Sequence, residues 1–68
     1  MLDLRKQIET TISEFEAKTD RRPSSLYLGR YEIHTLKTLL NIGAGGKITT
    51  YEGCSVYEVD AYHHFNVV

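Results

Sequence analysis

Apolar positions keep two different periods along this chain. Leu4, Ile8, Ile12 and Phe15 recur at helical spacing and define one stripe of a 3.6-residue helix. Ile33, Leu36, Leu39 and Leu40 form a second such stripe, with Tyr31 at its edge. From Ile48 onward the pattern changes to short β-branched and aromatic runs, broken by Glu52-Gly53 and Asp60, which is how strands read.

Punctuation sets the ends of these elements. Asp3 is placed to cap a first helix over residues 3–18, with Arg5–Glu9 and Glu14–Lys18 as i,i+4 ion pairs on its wet face. Pro23 lacks an amide and pushes Arg22 out of helical angles, so the helix stops before it. Ser24 to Gly29 reads as a short strand with Leu26 and Leu28 on one face and Tyr27 on the other. A second helix follows over residues 30–41, stopped by Asn41, Gly43, Gly45 and Gly46, with a flexible loop at 43–46. Lys47–Tyr51, Cys54–Val59 and Tyr62–Val68 read as strands, and the Glu52-Gly53 and Asp60-Ala61 connections are short enough for hairpins. The expected architecture is α+β in the order α-β-α-β-β, with room for one added short strand. Three or four strands form a mixed sheet with both helices on one face. If the first strand and a later one are parallel neighbours, the second helix is the crossover between them.

The chain has 68 residues, which bounds it to one small domain, residues 1–68. A core of this size contributes only a few kcal/mol net, about 60% of the unfolded surface being buried. Its lone cysteine, Cys54, excludes an internal disulfide, and no Cys/His array suits a structural zinc. Self-association, as a homodimer, is therefore the expected reinforcement. The unpaired cysteine also suits a reducing compartment. The start of the chain, Met1-Leu2-Asp3-Leu4-Arg5-Lys6, lacks the apolar segment of a signal peptide. No apolar run approaches the roughly 18 residues that cross a bilayer. A cytoplasmic protein without membrane contact is the expectation.

Charge changes the picture little. Eight Lys and Arg against 9 Asp and Glu leave a formal net charge of −1, which speaks against a general nucleic-acid binder. Arg21, Arg22 and Arg30 flank the first strand, however, and with Tyr27 and Tyr31 as stacking faces they define the alternative reading, a small nucleic-acid-binding regulator. Adjacent His63 and His64 on a strand point to opposite faces and do not share a metal, although Asp60 or His34 could approach one of them in space. Cys54 lies between Glu52 and Glu58, which oppose a thiolate, so it reads as a small buried hydrophobe. Gly43-Ala44-Gly45-Gly46-Lys47 follows a helix and opens a strand, the reverse of a phosphate-binding loop. No catalytic residue, metal ligand or cofactor is assigned, and the chain does not read as an enzyme.

Tyrosine is the distinctive feature. Of the seven aromatic residues, five are Tyr, and four of these, at 27, 51, 57 and 62, fall on predicted strands. Helices covering one sheet face leave some of these rings on the other. Tyrosine suits such a half-wet site and is enriched in protein interfaces. The uncapped last strand, Phe65-Asn66-Val67-Val68, adds a free edge for docking.

The run Arg22-Pro23-Ser24-Ser25-Leu26-Tyr27-Leu28-Gly29, a helix, then Tyr51-Glu52-Gly53-Cys54-Ser55-Val56-Tyr57-Glu58-Val59-Asp60 resembles small α+β proteins encoded by bacteria and their phages. The resemblance spans residues 15–65 and rests on a helix stop, a strand and turns. It implies a phage or prophage origin and an accessory role, and it carries over no catalytic residue. The expected function is a non-enzymatic protein-interaction module that binds another protein or self-assembles. Tyr27, Tyr57, Tyr62 and His64 are its candidate contacts, with Arg22 and Arg30 at the rim.

Overall fold

A computed structural model describes residues 3–43 and 45–68. The signal-peptide reading at Met1 and Leu2, and Ala44 within the glycine loop, lie outside the described residues. The elements run α1 (Leu4–Thr19), β1 (Ser25–Leu28), α2 (Arg30–Leu39), β2 (Thr50–Tyr51), β3 (Cys54–Glu58) and β4 (Phe65–Val67). This is the expected α+β order with the additional short strand.

α1 begins where its cap dictates. The Asp3 carboxylate accepts the Lys6 amide at 3.1 Å and also holds Arg5 at 3.0 Å, so Arg5 pairs backward to Asp3 rather than forward to Glu9. The helix ends earlier than Pro23 requires, because Asp20 turns left-handed at φ 57° and its amide still reaches the Glu16 carbonyl. α2 ends likewise at Asn41, φ 59°. There the Asn41 amide donates to Thr38 at 3.2 Å and the Ile42 amide to Lys37 at 2.8 Å, which satisfies the last carbonyls.

The sheet has the order β2-β3-β1-β4. β1 pairs parallel with β3 and antiparallel with β4, while β2 and β3 form a hairpin. The hairpin turn at Glu52-Gly53 has positive φ at both residues, 51° and 78°, the twist a two-residue connection needs. The Asp60-Ala61 connection, in contrast, is not a hairpin, because β1 lies between β3 and β4.

Alternation sorts the side chains cleanly. Leu26, Leu28 and Cys54 are fully buried beneath the helices, with Val56, Tyr51, Phe65 and Val67 packed beside them. α1 contributes Leu4, Ile8 and Ile12, and α2 contributes Ile33 and Leu36, to the same core. Both helices therefore cover one face of the sheet, and the other face is open.

Candidate functional site

The open face carries two rows of side chains fixed by register. Thr50, Ser55 and Ser25 align across β2, β3 and β1 as a row of hydroxyls. Beside it, Tyr57, Tyr27 and Asn66 align across β3, β1 and β4. The two rings are stacked, with centroids 5.3 Å apart and planes inclined by 23°. Flanking strands half-bury Tyr27, whereas Tyr57 is 50% exposed. None of these six residues is charged. The rings present apolar surface together with hydroxyls able to donate and accept, which is the chemistry of a protein contact.

Tyr62 and His64 stand elsewhere. The predicted strand over 62–68 shortens to β4, and both residues lie in the connection leading to it. Here the chain crosses the end of β1, and its backbone groups are committed to α2 instead of a ladder. Arg30 and Tyr31 amides donate to the carbonyls of Ala61 and Tyr62 at 2.9 Å each. Gly29 is what permits the crossing, since a Cβ there would meet the Tyr62 carbonyl and the His64 amide at 2.7 Å. The first amides of α2 are thus satisfied from within the chain, leaving no anion site at that helix end.

An unanticipated residue organises this end of the molecule. Glu32, in the first turn of α2, accepts the His64 amide at 3.0 Å and pairs with His63 Nδ1 at 2.9 Å. Burial, with only 13% of its side chain exposed, pushes its carboxyl up, but the His63 contact and the His64 amide outweigh this and hold it below the usual range. The only signal in the sequence was an acidic residue at a helix start, which reads as a favourable dipole contact. His63 also packs against Tyr31 and Tyr62, with centroids 4.8 and 4.7 Å away.

The arginines do not converge on one patch. Arg22 donates to the Glu52 carbonyl at 2.9 Å and lies 3.8 Å from Glu16, at the entry to β1. Arg30 pairs with Asp60 at 2.8 Å, at the exit. Arg21 sits over the Phe15 ring. Of the six residues singled out in the sequence, Tyr27 and Tyr57 share a face. Tyr62, His64 and Arg30 cluster past the end of β1, and Arg22 stands apart from both groups.

Cys54 is fully buried, and burial raises its thiol above the ordinary range. Its Sγ–H donates to the Pro23 carbonyl at 3.5 Å. Among the described residues no three His, Cys, Asp or Glu side chains converge on a metal position, and no helix is long and apolar enough to cross a membrane. A groove of about 290 Å³ between the helices is lined by Leu4, Tyr31 and Leu39 with Asp3 and Glu32, but both carboxylates already have partners. Compared with known proteins, the chain matches no family model, no curated protein and no solved structure.

Proposed function

We propose that this chain is a non-enzymatic protein-interaction module whose contact surface is the open face of its sheet. The observation that carries this reading is the stacked Tyr27–Tyr57 pair on a face whose six aligned strand positions carry no charge and which no helix covers among the described residues. The stack steadies the pairing of β1 with β3 in the isolated chain, and a partner that covers it gains further apolar contact and hydrogen bonds to both hydroxyls. The small core, eight buried hydrophobic side chains among the described residues, gives a second reason for association. An accessory protein of phage or prophage origin, acting in the cytoplasm by binding another protein or by assembling with itself, fits this description. The nucleic-acid alternative has weaker support, because Arg22 and Arg30 lie at opposite ends of β1 and each is engaged by a carboxylate or carbonyl.

Capture from a lysate of the native host tests the reading. Wild-type protein is expected to retain a defined partner that a Tyr27→Ser/Tyr57→Ser variant, shown by circular dichroism to be folded, does not. Capture of the same proteins by both would overturn it.

A further inference from the structure

We infer that the free edge of β4 pairs with β4 of a second copy of this chain, across a two-fold axis that passes between the two Asn66 residues, perpendicular to the sheet. The inference rests on reading the chain as an interaction module, but it concerns a different surface from the tyrosine face.

The direction of the backbone groups comes first. The Gly29 amide donates to the His64 carbonyl at 2.9 Å, and the Val68 amide donates to the Ser25 carbonyl at 3.0 Å. His64 and Val68 thus face β1, and by alternation so does Asn66, the register partner of Tyr27. Phe65 and Val67 therefore turn their N–H and C=O groups outward, and among the described residues none of these groups has a hydrogen-bond partner. An edge is normally guarded by Lys, Pro, a bulge or extreme shortness. β4 has none of the first three.

The edge is also self-complementary. An antiparallel copy centred on Asn66 sets Phe65 opposite the partner's Val67, and each pair exchanges both backbone hydrogen bonds. Asn66 then meets its own mate as a non-hydrogen-bonded pair, at about 4.5 Å between Cα atoms. β4 contains no charge, so no like charges are brought together. A different observation supports the same register. On the helix side of the sheet, Thr11, Glu14, Phe15, Lys18 and Val67 line a groove of about 190 Å³. The partner's Phe65 stands beside Val67 on that side, and the part of its ring left outside its own core borders this groove. One carboxylate and one ammonium on the rim balance each other, so this apolar ring meets no net charge. The product is one continuous sheet of doubled width, with the Tyr57–Tyr27–Asn66 row repeated by symmetry.

Sedimentation equilibrium and cross-linking of the full chain test this. Wild-type protein is expected to reach twice the 7.8 kDa of one chain. Asn66 is exposed, so Asn66→Lys and Asn66→Asp keep the fold and each halve the mass, while their equimolar mixture restores the dimer. Asn66→Cys forms an interchain disulfide on oxidation, and Asp60→Cys, also at an exposed position, does not. Tyr57→Ser leaves the mass unchanged, which separates failure at this edge from failure of the tyrosine face. A wild-type monomer at every concentration would overturn the inference. So would a dimer indifferent to both charges at position 66, or a charge mixture that stays monomeric.

Discussion

Glu32 and His63, 31 positions apart, meet at 2.9 Å between Oε2 and Nδ1. Their contact ties the first turn of α2 to the segment that delivers β4, and the second carboxylate oxygen takes the His64 amide. The Glu32 carboxyl titrates below its ordinary value of 4.5. A carboxyl depressed in the folded state adds stability that is complete above the unfolded value and disappears as pH falls through the folded one. Glu32→Gln keeps an acceptor for the amide but loses the charge. It is expected to cost about 1 kcal/mol at neutral pH and to flatten the acid limb of the stability profile below that value, as urea midpoints will record.

Gly29 controls the same crossing sterically. Its φ of −76° suits any residue, so the obstacle to a side chain is space alone. An alanine Cβ would press on backbone atoms of Ala61, Tyr62 and His64 at 2.7–2.8 Å. Gly29→Ala is expected to destabilise the fold by about 2–3 kcal/mol, a fall of roughly 10–20 °C in Tm by calorimetry.

The β2–β3 turn holds a correctable strain. Glu52 adopts φ 51°, a left-handed angle that Asn tolerates better than Glu. Arg22 bonds the carbonyl there, not the side chain, so this contact survives substitution. Glu52→Asn is expected to raise stability by about 0.5–1 kcal/mol, measured as a higher denaturation midpoint with the slope unchanged.

The helices were legible in the sequence because their signals are local. Leu4, Ile8 and Ile12 repeat at helical spacing, and Asp3 and Asn41 mark boundaries through their own side chains or backbone angles. The strand order was not legible, since the pairing of Tyr27 with Tyr57 joins segments distant in sequence and either register suits short strands. Tyr62, His63 and His64 belong by composition to a strand. Their backbone instead meets the start of α2, and that depends on where Gly29 comes to lie. For the candidate site, Tyr27 and Tyr57 could be anticipated as rings on a sheet face the helices leave uncovered. The role of Glu32 could not, because both its contacts come from the far end of the chain.

Hydroxyl-radical footprinting of the tyrosines tests the central claim most directly, comparing dilute free protein with the protein bound to its captured partner. Oxidation of Tyr57, 50% exposed in the isolated chain, is expected to fall several-fold in the complex. Tyr62, 59% exposed at the other site, should keep its rate. Unchanged oxidation of Tyr57, with protection at Tyr62 instead, would contradict the account.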